Sequence, residues 1–465
     1  MSNSKTSAAV SPVMKQVAGY IATALGKPLP GPVVEATRHH LLDTIAAMVS
    51  GAKLLPGRMA ISYVKSLGGR AEAQVVGSRV VTSAVNAAVA NGMLAHADET
   101  DDSHAPSLTH PGCGIVAAAL AMAERGRRNG PALLRAVTLG YDISARMSLS
   151  LGVGKFRSVG HLTHCFGPTF GAAAASAALA GLDADRVRHV LSYTAQQTGG
   201  LATYARDLDH IEKAWDFGGM PARNGVCAAT LVASGCTAVE DVFSGERNFY
   251  IAFDESRRIG VKPDPEILAR GLGRNFEIMC TNIKRWSVGS PIQAPLDSLL
   301  ELIRAHKVSA DEVERLVIRI SVSGANTVNN RDMPDICAQQ MCAVMLLDGI
   351  VTFETAHDVK RMQDPRVLAL RERIELIGDE ELEKLIPERH GIVELTLRDG
   401  RRLRHHTTGV RGTAQNPMTR AEVDEKCHHL VAPVLGLRRA RALCDAVWNL
   451  DKVKDVRALR PLLRA

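Results

Sequence analysis

Over the first ~265 residues, apolar positions recur at the i, i+3, i+4, i+7 spacing of helices, punctuated by Gly and Pro. Pro32 suits a first helical turn, and the stretch from Val33 to Val49 keeps that spacing until Gly51 ends it. The pattern predicts further helices over residues 81–96, over 114–125 with Gly126 as cap, and from Pro131 through Tyr141 toward Leu151. Residues 170–182 and 186–198 read as an antiparallel helix pair, and 225–235 as a helix of small residues. No convincing strand is expected in this part. The Ser- and Ala-rich start, residues 1–12, is expected to be frayed.

The period changes after the stretch 263–276. Residues 315–323 alternate, with Leu316, Ile318, Ile320 and Val322 on one face. Residues 392–397 alternate too, and Asp399-Gly400 then reads as a hairpin turn. Helices are expected at 291–306 and 335–347, and again from Met418 onward. The chain therefore reads as mainly α. A large all-helical domain spans 1–266 and is completed by 406–465, and a smaller α+β domain spans 267–405. No internal repeat or low-complexity tract is seen.

Composition narrows the class. A chain of 465 residues is long enough for two cores. Apolar residues make up 46% but aromatics only 4%, so the core rests on Ala, Leu, Val and Ile, which suits closely packed helices. The formal net charge is +7. The densest basic patch, Arg401, Arg402, Arg404, His405 and His406, follows the hairpin turn and reads as a solvated strand end. Nucleic acid is not an expected partner, because no basic stripe with interleaved aromatics is present. The positive balance suits an anionic substrate better. Nine cysteines without any C-x-x-C argue against a zinc ribbon or iron–sulfur cluster. With no apolar signal-type core in residues 1–15 and no long apolar run, a cytoplasmic chain with free thiols is expected.

Four segments carry chemistry-bearing residues. The first is His96 to His104, with Asp98, Glu99, Asp101, Asp102 and Ser103, followed by His110-Pro111. Four acids and three histidines within so short a stretch are not core composition, though a solvated, self-capping loop is the plainer alternative. Divalent metal is a rival reading, but no H-x-x-x-H or similar ligand spacing supports it. The second is Gly160-His161-Leu162-Thr163-His164-Cys165, where two imidazoles at a helix start offer an acid or base. The third is Lys213 to Gly219, with Arg223 to Gly225 after it, where a glycine pair and a helix start suit a carboxylate. The fourth is Cys280 to Trp286, with Lys284, where the composition changes. No P-loop, Rossmann fingerprint or nucleophile elbow is present.

Taken in order, these residues resemble the MmgE/PrpD family. Asn91 to His96 leading to Asp101-Asp102 and His110-Pro111 is similar to the family's first signature. Phe170-Gly171 with Ala172 to Ala175, Lys213 with Asn224-Gly225, Ile283-Lys284-Arg285, Met345 to Gly349 and Asn416-Pro417-Met418 resemble its later landmarks. The resemblance covers nearly the whole chain. It implies a large helical domain with a smaller α+β lid, a homodimer, no metal and no organic cofactor. It also implies reactions of the kind catalysed by 2-methylcitrate dehydratase, cis-aconitate decarboxylase and iminodisuccinate epimerase. Asp101, Asp102, His110, Lys213 and Lys284 correspond by position to pocket residues, and Ser103 and Gln340 join them as substrate-binding candidates. The chain departs from the pattern twice. Leu162 stands where the family places a histidine, leaving His161 and His164 as substitutes. Gln340 stands where decarboxylase members place a tyrosine.

The expected function is that of a cofactor-free lyase, a hydro-lyase of the 2-methylcitrate dehydratase kind, acting on a small polycarboxylate. Related epimerase and decarboxylase chemistry remain alternatives. Lys213 and Lys284 would bind carboxylates and stabilise a carbanion. His110 would serve as base, oriented by Asp102, and His161 or His164 would protonate a departing hydroxyl.

Overall fold

The structure is a computed structural model that describes residues 9–465. The first eight residues, with most of the stretch expected to be frayed, lie outside the described residues. The chain divides into two units. The first holds residues 9–97, 102–280 and 431–465, and the second holds 98–101 and 281–430.

The first unit is helical: α1 (Pro12–Thr23), α2 (Gly31–Gly51), α3 (Leu55–Leu67), α4 (Ala84–Ala95), α5 (Pro111–Arg125), α6 (Gly130–Ser150), α7 (Val153–Ser158), α8 (Thr163–Ala180), α9 (Ala184–Gln196) and α10 (Met220–Ala233). Side-chain caps fix several starts. Ser11, Ser83, Asn129 and Asp183 each accept the N–H three residues on. The Ser83 cap moves the start expected at residue 81. Val81–Thr82 instead forms strand β2, pairing antiparallel with β1 (Ala73–Gln74), a hairpin that helical spacing did not announce.

Helix α8 lies at the centre of this unit. Every residue from Thr163 to Leu179 is buried, so it has no polar face to read. Its small residues let backbones meet. A Cβ on Gly171 would lie 2.4 Å from the carbonyl oxygen of Gly140 on α6. Phe166, Phe170, Ala173, Ala174, Ala177 and Ala178 of α8 join Ile143 and Met147 of α6 and Val187 and Val190 of α9 in one apolar cluster.

The second unit is built on a four-stranded sheet. Its strands are β3 (Val313–Ser321), β4 (Ile374–Asp379), β5 (Gly391–Leu397) and β6 (Arg402–Thr407), in the order β4-β3-β5-β6. β3 runs parallel to β4 and antiparallel to β5, and β5 turns into β6 through Asp399-Gly400. Helices α11 (Gln293–His306) and α12 (Ala338–Asp348) bury Leu296, Leu299, Met341 and Met345 with Leu316, Ile318 and Ile320 of β3. The alternation on β3 ends at Ser321, not 323, because the Ser321 hydroxyl caps a short helix over Val322–Val328. Edge strand β4 escaped the pattern because only its Ile374 is buried.

The fold is mainly α with a small α+β part, as expected. The divisions fall at 280/281 and 430/431, not at 266/267 and 405/406. Leu268 and Ala269 belong to the first unit's apolar cluster, the Arg146 guanidinium binds the carbonyls of Arg270 and Asn275, and Glu277 N–H donates to Asp142. At the other end, Arg411 N–H donates to Asp297 and Gly412 N–H to the Asn416 carbonyl, which keeps these residues in the second unit. No helix among the described residues is long and apolar enough to cross a membrane, and all nine cysteines are free thiols.

Candidate active site

Within the first unit, three helix boundaries bring imidazoles around one phenylalanine. His96 is the C-cap of α4, His110 the N-cap of α5, and His164 lies in the first turn of α8. Phe217 sits in a single π-helical turn, Trp215–Gly219, that leads into α10. Its ring is stacked between His96 (centroids 4.4 Å apart, 11° between planes) and His164 (4.0 Å, 22°). His110 closes the group at 5.0 Å from His96 and 5.3 Å from His164. His210 lies 5.3 Å from His96, and its own φ of 59° marks the tight bend that delivers Lys213. The π turn can come this close because Gly218 and Gly92 face each other: a Cβ on Gly218 would lie 2.0 Å from the Gly92 carbonyl oxygen.

Positive charge flanks the rings. The Lys213 ammonium stands 5.3 Å from the Phe217 centroid and 5.8 Å from that of Tyr204, and Arg157 donates to the Tyr204 hydroxyl. Burial, reinforced by the charges of His110, Arg157, His96 and Lys213, pushes the His164 pKa well below its ordinary value. His164 is therefore a neutral imidazole, and its Nδ1 is buried without a hydrogen-bond partner among the described residues. Pro168, lacking an N–H, gives nothing to the His164 carbonyl one turn back. Burial, with the nearby Glu212 and Asp207, raises the Asp216 carboxyl to about 7.

Asp102 occupies a different place from the one expected. Its Oδ2 takes the Tyr141 hydroxyl at 2.6 Å and pairs with His40 Nδ1 at 2.8 Å, and its Oδ1 accepts the Gly112 N–H at 2.9 Å. All three partners are deeply buried. The imidazole bonded to Asp102 is thus His40, on α2. The carboxylate acts on His110 through the backbone, by holding the first turn of α5 that His110 caps. Ser103 is buried beside it in sequence.

His161 is not in the imidazole group. It precedes α8, stacks on Phe156 at 4.2 Å and bonds Glu255 at 3.2 Å. Cys165 donates its thiol to the Asp216 carbonyl, and burial keeps its pKa well above the ordinary thiol value.

In the second unit, the acidic segment 98–101 is matched by that unit's own cations. Lys284 donates to the Glu99 carbonyl at 2.7 Å and to its carboxylate at 3.2 Å, and lies 3.9 Å from Asp101. His357 pairs with Asp98 at 3.0 Å, and Lys426 donates to the Thr100 carbonyl. Gln340 is fully buried on α12, and its Oε1 lies 3.5 Å from an Arg371 nitrogen. Of the candidate residues, the structure therefore brings His110, His164 and Lys213 together. Asp102 is linked to them through α5, Lys284 and Asp101 face each other in the second unit, and His161 lies in a separate aromatic group.

Sequence reasoning gave no role to His40, His96, Tyr204, His210 and Phe217. His210, three residues before Lys213, and His96, at the end of the first signature, carried a readable signal. The ring of Phe217 did not.

Comparison with known proteins gives two family matches. The model of the MmgE/PrpD N-terminal domain matches residues 15–262, and that of the C-terminal domain matches residues 286–452. Among curated proteins, the chain is similar to a cis-aconitate decarboxylase-like protein, oryM, of Aspergillus oryzae. The two are 23% identical over 97% of this chain and 97% of that protein. It is also similar to the cis-aconitate decarboxylase of Aspergillus terreus, at 22% identity over 99% and 97%.

Proposed function

Since the chain belongs to the MmgE/PrpD family, we propose that it is a lyase of small di- or tricarboxylates, most closely a hydro-lyase of the 2-methylcitrate dehydratase kind, that draws its acid, base and counter-charge from its own side chains. One observation carries this reading: two close imidazoles, one of them held neutral, around the buried Phe217 ring beside the ammonium of Lys213.

The hard step is breaking a C–H bond next to a carboxylate. His164, neutral and with Nδ1 unbonded, is the base in this proposal. Burial lowers its basicity, and a polyanionic substrate would bring negative charge that raises it. The electron pair moves into the substrate carboxylate as an enediolate, and the Lys213 ammonium offsets that charge. The hydroxyl on the neighbouring carbon leaves with a proton from His110, so the products are an alkene and water. This exchanges the acid and base roles expected from sequence and leaves His161 out. Lys284 is assigned to holding the acidic segment of the second unit.

Decarboxylation is the second reading, favoured by what the two Aspergillus relatives are called. It needs the same carbanion stabilisation, with CO₂ leaving in place of a proton. Gln340, where decarboxylases carry a tyrosine, speaks against it.

The test is proton NMR in D₂O of the EDTA-treated enzyme with 2-methylcitrate, citrate, cis-aconitate and iminodisuccinate. Loss of water supports the first reading and loss of CO₂ the second, while deuterium exchange alone points to epimerisation. On the substrate so found, Lys213→Ala should lower kcat/KM by roughly 100-fold or more without lowering Tm, since Lys213 is partly exposed. Near-normal turnover would remove Lys213 from the site. Silence of the whole panel, with activity on another substrate restored by metal, would refute the proposal.

A further inference from the structure

The first unit contains a cavity of about 510 Å³ lined by none of the imidazole group. Four arginines from four separate stretches reach it: Arg70 ahead of β1, Arg125 at the end of α5, Arg128 in the turn to α6, and Arg457 near the C-terminus. Between them the wall is made of Ala71, Ala180, Ala233 and Gly126 with the apolar Met122 and Leu179. Glu72 is the one acid in the lining among the described residues, so four positive charges less one leave +3 around the cavity.

The guanidiniums are fixed in one particular way. Arg128 donates through Nε to the Leu179 carbonyl at 2.8 Å, Arg457 through Nε to the Glu124 carbonyl at 2.7 Å, and Arg125 through Nε to the Glu72 carboxylate at 3.3 Å. Two of these bonds cap the C-terminal ends of α8 and α5, a structural task that Nε alone fulfils. The terminal nitrogens of all three, and the whole Arg70 side chain, make no hydrogen bond among the described residues. Helix capping therefore explains neither those nitrogens nor Arg70. A guanidinium pinned at Nε presents its remaining N–H groups as a fork of set orientation, the geometry that recognises phosphate or carboxylate oxygens. Because the forks of Arg125, Arg128 and Arg457 are already held at Nε, less side-chain entropy is lost when an anion arrives. The volume falls in the range of small-molecule sites.

We propose that this cavity is a binding site for a small molecule carrying two or more oxyanion groups, phosphate or carboxylate, separate from the imidazole site.

The test is calorimetric titration of the full chain with inorganic pyrophosphate, and separately with citrate, at about 50 mM salt, where surface charge is only partly screened. Three proteins are compared: wild type, the double variant Arg70→Gln/Arg125→Gln, and Lys213→Met. The double variant keeps the two carbonyl caps, and an unchanged Tm verifies its fold. One pyrophosphate per wild-type chain is expected, with affinity about tenfold or more weaker in the double variant and unaltered in Lys213→Met; citrate, which the imidazole site can also take in the proposed function, should keep one binding event in Lys213→Met. Which probe displaces the other decides between phosphate and carboxylate ligands. The proposal is overturned if neither probe binds at up to about 10 mM, if the double variant binds pyrophosphate as wild type does, or if Lys213→Met removes pyrophosphate binding.

Discussion

The bonds of Asp102 allow a prediction that separates charge from shape. Asp102→Ala removes the acceptor for three buried groups: the Gly112 N–H, the Tyr141 hydroxyl and His40 Nδ1. Tyr141 has a second partner in the Thr44 hydroxyl, and His40 can move its proton to the other ring nitrogen. The Gly112 amide has neither escape. A stranded buried donor costs about 1–3 kcal/mol, and the lost charge-assisted bonds to the other two groups add a similar amount, so a loss of roughly 4 kcal/mol is expected. Asp102→Asn is nearly isosteric. Its oxygen can still take Gly112 N–H, its NH₂ can face a neutral His40, and Tyr141 can turn to Thr44, so its cost should be about 1 kcal/mol. Urea unfolding followed by far-UV CD measures both. The kinetic consequence should follow the same order, because the anchored turn carries His110: Asp102→Ala should depress kcat more than Asp102→Asn does, with the pH profile shifted in both. If Asp102→Ala unfolds at the wild-type urea concentration, or if the Asn variant is as damaged as the Ala variant, Asp102 does not hold the start of α5.

Three further outcomes follow from the same geometry. Gly218→Ala places a Cβ 2.0 Å from the Gly92 carbonyl oxygen, so the π turn must move; activity should fall at least about tenfold and the near-UV CD signal of the aromatic group should change, whereas an unchanged kcat/KM would show that Phe217 is not part of the site. Burial raises the Asp142 carboxyl from 3.8 to about 7, against the opposing Tyr20 and Glu277 hydrogen bonds. Its folded pKa lies above the unfolded one, so its contribution is present below pH 3.8 and lost as pH rises to 7, a change of about 4 kcal/mol; Asp142→Asn should abolish it, seen as a flatter stability curve between pH 4 and pH 7 in urea titrations. In the second unit, burial works against the charged form of His357, but the Asp98 hydrogen bond and charge win, with Asp335 adding to them, and lift it from 6.5 to about 9. This stabilisation is complete below pH 6.5 and lost through pH 9, so His357→Gln should erase a fall in Tm across that window that wild type shows; a wild-type Tm that is flat there would refute the pairing.

The helices were legible because their ends carry local chemistry. Gly51 and Gly126 ended them, and Pro32 and Pro131 opened them, within a residue or two of the observed bounds. The hairpin at 73–82 and the edge strand β4 were not, since two residues or one buried side chain give no period to detect. The site was legible only as a set of types. Two histidines three apart share a face only if both are helical. α8 starts at Thr163, between them, so His164 turns to Phe217 while His161 stays with Phe156 and Phe253.

The same reasoning explains why the acidic run did not show its pairing in the sequence. Four acids within five residues look like a ligand set when their partners are unknown. The partners of this run lie far along the chain: Lys284, His357 and Lys426 for residues 98–101, and His40 and Tyr141 for Asp102. Local sequence cannot show that these groups will pair with residues 39 to 326 positions away. In the proposed function the chemistry rests instead on the imidazole of His164, whose Nδ1 is unbonded among the described residues, beside the ammonium of Lys213. The base in that proposal is a group the fold leaves short of a hydrogen-bond partner, not one of the carboxylates that distant cations already hold.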